Sequence, residues 1–290
     1  MPSLICRDRR IAFPRRPLIM GILNLNDDSF SGDGTLNVDE ALHDAWRMIA
    51  EGADIIDVGG ESARTNRAAI AEQEEIARVQ PFIEQFDMVA STSRAADAAQ
   101  IFPPLLSINT WRPNVARALL SVGGDILNDM SGLQGSLENA KIAARYGAAL
   151  LIMHSVGGPK IPHTHVRHDD ILNTLTAFFQ EKTTAAVAAG IRRDSIILDP
   201  GIDFAKQRDD NLRIYREFSR IAALGFPTLL PVSRKTVVGD VLNLPQAIER
   251  DPGTVACIVS GTLAGANIFR VHNVRAAWQT LKMLEAISPM

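Results

Sequence analysis

The feature that most constrains this chain is a series of short aliphatic runs, each stopping at a polar side chain. LIMGILN stops at Asn24, ADIID at Asp57, LLSIN at Asn109, DILND at Asn128 and Asp129, and ALLIMH at His154. SIILD stops at Asp199, LLPVSRK at Lys235, and NIFRVH at Arg270 and His272. The runs are apolar without alternation, as strands are when both faces are covered. Between them lie amphipathic stretches such as VDEALHDAWRMIAEG, where Leu42, Ala45, Trp46 and Ile49 recur at helical spacing and Gly52 ends the helix. Alternation of strand and helix, sustained over eight runs, argues for an α/β chain folded as a (β/α)8 TIM barrel. A doubly wound open sheet is the main rival on pattern alone. In a parallel barrel all strand C-termini open on one face, so the polar ends are expected to meet there.

A barrel of this kind takes ~250 residues. The 290 residues therefore fit one domain, 1–290, in which 1–17 form an N-terminal hairpin extension (LICRDRRIAF) closing one end. The arginines of that extension (Arg7, Arg9, Arg10, Arg15 and Arg16) read as a solvated edge. A net charge of −3 gives no pull toward nucleic acid or anionic membrane. No uncharged stretch is long enough to span a bilayer, and the opening residues lack the apolar region of a signal peptide. Cys6 and Cys257 suggest no disulfide framework, so a reducing, cytoplasmic setting is expected. Residues 70–86 have a helical pattern in which Pro81 marks a kink or boundary. Residues 87–104 have no regular pattern, and NLRIYREFSRIAALG reads as one helix.

The polar ends divide by chemistry. Arg64, Lys235, Arg270 and His272 are donors or cations, suited to phosphate or pyrophosphate. Backbone amides in GGES and SRKT, each followed by a helix, add potential anion contacts. Pairing of Arg64 and Arg270 with the barrel's own carboxylates is an equal alternative. Asn109, Asn128 and Asp199 suit a flat heterocycle that offers both donors and acceptors, and Met153 and Phe204 suit its faces or the core. Asp57, set among apolar residues, reads as a hydrogen-bonded structural carboxylate. The loop histidines His163, His165 and His168 lack the partners of a structural zinc site. Neither dinucleotide nor Walker motif is present, and there is no G-x-S-x-G elbow.

These runs together resemble the dihydropteroate synthase family. LIMGILNLNDDSF is similar to the family's MGILNxTPDSFSDGG, and GADIIDVGGESARTN to GAxIIDxGGESTRPG. LLSINT, ILNDMSG and LLIMHS resemble its SxDT, IND and LMH strands. IILDPGIDFAK, LLPVSRKTVVG and NIFRVHNV resemble DPGxGFxK, GxSRKSxxG and RVHDV. The match is collinear from Leu18 to the C-terminus. The resemblance implies condensation of 6-hydroxymethyl-7,8-dihydropterin pyrophosphate with 4-aminobenzoate, with Mg²⁺ as cofactor, and a homodimer.

Carried over position by position, the resemblance gives Asn24 the metal and pyrophosphate, and gives Arg64, Arg270 and His272 the pyrophosphate. Asn109, Asn128, Met153, Asp199, Phe204 and Lys235 line the pterin pocket, with Ser233 and Thr236 on the aminobenzoate side. Asn24, Arg64, Asp199 and Lys235 make up the catalytic set. The chain also departs from the family. Asn109 stands for an Asp, Asp203 for a Gly, Pro231 for a Gly, Thr236 for a Ser and Asn273 for an Asp. Further changes are at Asn26, Asp27, Gly32, Asp33, Ala63, Thr65 and Asn66. Two alternatives to the synthase reaction follow from them: a catalytically weak pterin-binding paralogue, or a different arylamine acceptor.

Overall fold

The computed structural model describes residues 2–26, 34–62, 68–161 and 164–287. A two-stranded antiparallel hairpin, β1 (Ser3–Cys6) and β2 (Arg9–Ala12), precedes the main sheet. The main sheet holds eight parallel strands: β3 (Leu18–Asn24), β4 (Ile55–Gly59), β5 (Leu105–Asn109), β6 (Ile126–Asp129), β7 (Ala149–Met153), β8 (Ile196–Asp199), β9 (Leu229–Pro231) and β10 (Ile268–Val271). Its hydrogen-bonded order is β8-β7-β6-β5-β4-β3-β10-β9, and a parallel bridge between Leu198 and Thr228 joins the two ends. The result is the eight-stranded barrel expected from the runs.

Side chains alternate across each strand. One set, including Met20, Ile55, Leu105, Ile126, Leu151, Ile197, Leu229 and Ile268, fills the barrel interior. The other set, including Ile19, Ile56, Leu106, Leu127, Leu150 and Phe269, packs outward under the helices. Leu4, Cys6, Ile11 and Phe13 of the hairpin join the interior cluster and plug the N-terminal end. With one end plugged, the C-terminal end is left for a site.

Arg7 and Arg10 are exposed, as expected of a solvated edge, whereas Arg9 and Arg15 are half-buried and Arg16 is buried. Arg7 donates to Gly124 O and Leu120 O, and Arg9 to Pro103 O and Pro104 O. Arg16 is buried, 3.6 Å from Asp54 and 3.5 Å from Asp97. Asp54 in turn accepts from the backbone of Ile19 and Ile101. These cations bind exposed carbonyls and a buried carboxylate at the closed end, which a count of charges along the chain does not reveal.

The first helix, α1 (Val38–Ala50), is capped by Asn37, whose side chain accepts from Asp39 N and Glu40 N. Its buried stripe is Ala41, Leu42, Ala45, Met48 and Ile49, whereas Trp46 is 40% exposed. Pro81 does not break α2 (Glu72–Thr92), which takes in the first part of the segment without regular pattern. Val79, Phe82, Ile83 and Phe86 are buried on either side of the proline, and this packing holds the helix through it. The remaining helices are α3 (Pro113–Val122), α4 (Glu138–Tyr146), α5 (Ile171–Ala188), α6 (Arg208–Arg216), α7 (Ser219–Ala222), α8 (Thr236–Leu242), α9 (Asp251–Leu263) and α10 (Val274–Ile287). The single helix expected over 211–225 is thus two. The helix expected after the SRKT turn is α8. No helix among the described residues is long and apolar enough to cross a membrane.

Candidate active site

At the open end of the barrel lies a cavity of about 540 Å³. Its lining includes Asn24, Asn109, Asn128, Met153, Asp199, Phe204, Ser233, Lys235, Thr236, Arg270 and His272. Every expected site residue is therefore there except Arg64, which lies outside the described residues, as do His163 and the altered positions at 27–33 and 63–66.

The floor of the cavity is organised by Asp57, which is 0% exposed. It accepts from Ser107 Oγ at 2.6 Å, Asn109 Nδ2 at 3.3 Å, Asn128 Nδ2 at 3.2 Å and Arg270 Nε at 2.7 Å. Ser107 and Asn109 reach it together because alternate residues of a strand share a face. Asp57 is thus a hydrogen-bonded structural carboxylate, and Arg270 pairs with it, as the alternative reading of that arginine has it. Only Nε of Arg270 is engaged there, so the guanidinium keeps further donors for an anion. Because a carboxylate accepts only, both asparagine amides present Nδ2 to Asp57, and their carbonyl oxygens are left for a ligand.

Asp199 ends β8 and is buried. It accepts from Gly201 N at 2.7 Å. Gly201 has φ +65° and sits against the His154 carbonyl, where a Cβ has no room. Burial pushes the Asp199 carboxyl up to about 6, opposed by the Gly201 amide and by Lys235, Arg270 and Lys206. Lys235 donates to Ile202 O at 3.0 Å and lies 5.2 Å from the centre of the Phe204 ring. Burial lowers its pKa, offset by Asp203 and Asp199.

Ser233, expected beside the aminobenzoate, lines the cavity with its hydroxyl against His272. Ser233 Oγ lies 2.8 Å from His272 Nδ1 and accepts from His272 N at 3.1 Å. Which of the two groups donates to the other depends on the imidazole tautomer. Arg234 does not join the cations of the site, since it makes a two-point contact with Asp251 at 2.8 and 3.2 Å. The carbonyls of Arg234 and Lys235 accept from Arg250, which fixes the turn.

Two features escaped the sequence reading. Buried Lys206 donates to His154 Nδ1 at 2.9 Å and to Phe204 O at 2.9 Å. Burial lowers Lys206 to about 7 and His154 to about 2, so His154 is the neutral acceptor. At the rim, Glu61 binds Arg112 at 2.8 Å and Lys160 at 3.0 Å, and Arg112 also reaches Glu75 at 3.2 Å. This network ties the loop after β7 to the loop after β4. The polar runs at 60–62 and 157–160 give no sign of that contact, because the partners are about a hundred residues apart in the chain.

No group of three or more His, Cys, Asp or Glu that could hold a metal occurs among the described residues. His168 contacts Ala205 O at 2.9 Å, and His165 is exposed. The donor set nevertheless suits Mg²⁺ of the kind that keeps several waters and binds mainly through substrate phosphates. For that mode one hard oxygen, such as the Asn24 amide carbonyl at the end of β3, is enough.

Comparison with known proteins agrees with this geometry. Residues 20–272 match the family model described as pterin binding enzyme. Dihydropteroate synthase of Bacillus subtilis is 35% identical over 278 residues, covering 96% of this chain and 90% of that protein. The crystal structure of the Thermus thermophilus synthase in complex with 4-aminobenzoate superposes with a TM-score of 0.84, at 31% identity, over 98% of this chain and 99% of that one. The Clostridium difficile synthase, crystallised with pteroic acid, gives 0.82 at 34% identity, over 95% and 98%. An eight-stranded barrel whose polar strand ends line one cavity, and whose full length matches these proteins, belongs to the dihydropteroate synthase family of pterin-binding enzymes.

Proposed function

We propose that this transferase joins 6-hydroxymethyl-7,8-dihydropterin pyrophosphate to 4-aminobenzoate, releasing pyrophosphate and forming 7,8-dihydropteroate. The observation that carries the reading is that Asn109, Asn128 and Asp199 converge in the same cavity as Lys235, Arg270 and His272. In the reaction the bond from the pterin methylene to the pyrophosphate oxygen breaks, a bond from that carbon to the amine nitrogen forms, and the amine loses a proton.

The floor residues hold and orient the heterocycle. The two amides turned by Asp57 offer carbonyl acceptors to its N–H groups, and Asp199, ionised near neutrality, accepts from an amino-imino edge. Lys235 and Phe204 bound one side of the ring. Arg270 and His272 supply donors to the leaving group, whose negative charge grows as the bond breaks. Arg64, by resemblance, adds another. Asn24 would hold Mg²⁺, which supplies neutralisation of pyrophosphate charge when bound. Fixing both partners in one cavity supplies the orientation that a substitution at carbon requires.

The test is release of pyrophosphate from protein mixed with the dihydropterin pyrophosphate, Mg²⁺ and a series of arylamines. Release that needs all three components is expected. Pterin binding without release from any arylamine points to the weak paralogue, a reading favoured by Asn109. Absence of pterin binding overturns both.

A further inference from the structure

The turn after β8 is folded around the ammonium of Lys206, a group with no part in the bond exchange itself. Lys206 is 9% exposed. Its Nζ donates to Phe204 O at 2.9 Å, to His154 Nδ1 at 2.9 Å and more weakly to His154 O at 3.4 Å. These use the three donors of an ammonium, and all three acceptors are uncharged. His154 is itself fixed at the end of β7. Its N–H donates to Asp199 O at 2.9 Å, its carbonyl packs against Gly201, and its ring stands edge-on to Phe178 with 4.8 Å between centroids. What Lys206 holds against this anchor is a turn under strain. Asp203 and Ala205, on either side of Phe204, have φ +69° and +52°, left-handed conformations that side chains take at a cost. The Phe204 carbonyl between them is the one bonded to Lys206.

A neutral donor could make the same bonds, so the charge needs its own reason. A buried cation is costly without a counter-charge, and none of its direct partners carries one. Burial lowers Lys206 to about 7; Asp199 and Asp210 oppose this, Lys235 adds to it and Asp203 opposes it. Asp210 is occupied at the start of α6, where it accepts from Gln207 N at 2.9 Å, and Asp203 is occupied by the amides of Thr236 and Val237. Asp199 accepts from the Gly201 amide and lines the cavity, where Lys235 and Arg270 face it as well. We infer that Lys206 is a positioning residue for the pterin: its hydrogen bonds hold the turn that presents Phe204 to the ring, and its charge acts with Lys235 and Arg270 to keep Asp199 a carboxylate for the amino-imino edge. Asp199 titrates near pH 6, where Lys206 carries its proton. His154, lowered to about 2 chiefly by burial, stays neutral there. The inference rests on the transferase reading above.

The test is the pH profile of kcat/KM for the dihydropterin pyrophosphate at saturating 4-aminobenzoate and Mg²⁺. It is run on the parent, on Lys206→Met and Lys206→Gln, which remove the charge, and on Lys206→Arg, which keeps it. Comparison with the parent cancels the titration of the pyrophosphate. Loss of one of the cations facing a buried carboxylate moves the acid limb up by about one pH unit, the low end of the effect of a neighbouring charge. Below pH ~6 each neutral variant should therefore lose about tenfold in kcat/KM beyond any loss on the alkaline side, carried by KM rather than kcat. Lys206→Arg should keep the parent's limb. A loss that is uniform across the profile, or a limb in the neutral variants that coincides with the parent's, overturns the inference and leaves the transferase intact. If neither neutral variant folds, Lys206→Arg decides: an unmoved limb with a raised KM supports the inference, and a limb moved up refutes it. If the parent releases no pyrophosphate, the transferase reading fails. Calorimetric affinity for the dihydropterin pyrophosphate over the same pH range then decides, and equal affinities in parent and neutral variants refute the inference.

Discussion

Substituting Asn109→Asp tests the organisation of the cavity floor. In the parent, Asn109 Nδ2 donates to Asp57 Oδ2 at 3.3 Å, inside a cluster whose cation, Arg270, is already 2.7 Å from the same oxygen. The variant sets a second carboxylate oxygen at that place. Two full charges ~4 Å apart at an effective dielectric of ~20 repel by about 4 kcal/mol, of which Arg270 offsets only part. The new carboxyl avoids the repulsion by keeping its proton, so its pKa rises from ~3.9 toward ~7, at about 1.4 kcal/mol per unit. A raised carboxyl means that the native state binds more protons than the unfolded chain between those values. Stability relative to the parent is therefore retained near pH 4, declines as pH rises through the window and is fully lost above ~7. With ~2.1 cal/mol/K of unfolding entropy per residue over 290 residues, a loss of about 3–4 kcal/mol lowers Tm by roughly 5–7 °C. The assay is a set of thermal melts of parent and variant from pH 5 to 8.5, with the difference in Tm plotted against pH. Turnover should follow the opposite course. At low pH the protonated variant resembles the parent, and above ~7 its charge favours a cationic pterin methylene by about 1.5–3 kcal/mol, or one to two powers of ten in rate. A Tm difference that does not change with pH would refute the reasoning.

Asp57→Asn should be more damaging than its unchanged shape suggests, because it leaves a donor facing the donors of Asn109 and Arg270. Removing one partner from such a buried pair costs about 3–5 kcal/mol, which corresponds to roughly 5–8 °C in Tm, and pyrophosphate release should fall with it. An unchanged melt would show that the cluster is not held by its charge. The pH profile follows from Asp199, whose carboxyl is raised to about 6 by burial. Between its unfolded value and 6 the native state holds the extra proton, so this group's contribution to stability declines as pH rises through that window and is constant above it. Activity has the opposite sign, since kcat/KM for the pterin substrate should fall about tenfold per pH unit below ~6. Asp199→Asn should abolish that limb of the profile, and persistence of the limb would assign it to another group.

Much of this protein is legible in its chain. Apolar runs covered on both faces, each followed by an amphipathic stretch, leave few arrangements other than a parallel barrel, and strand polarity alone places Asn24, Asn109, Asn128, Asp199 and Arg270 at one mouth. The closed end is marked too, by a hairpin with alternating apolar residues. Which polar ends touch is a different matter. Asp57 and Arg270 are 213 residues apart, and only closure of the ring between β3 and β10 brings them to 2.7 Å. The direction of each amide, the contact of His272 with Ser233 and the pairing of Lys206 with His154 all depend on that closure. Hydrophobic periodicity is a local property, set by the geometry of one strand or helix at a time. The protonation and orientation of a buried polar group are set by its neighbours in space, and in a barrel those neighbours come from strands that the sequence keeps far apart.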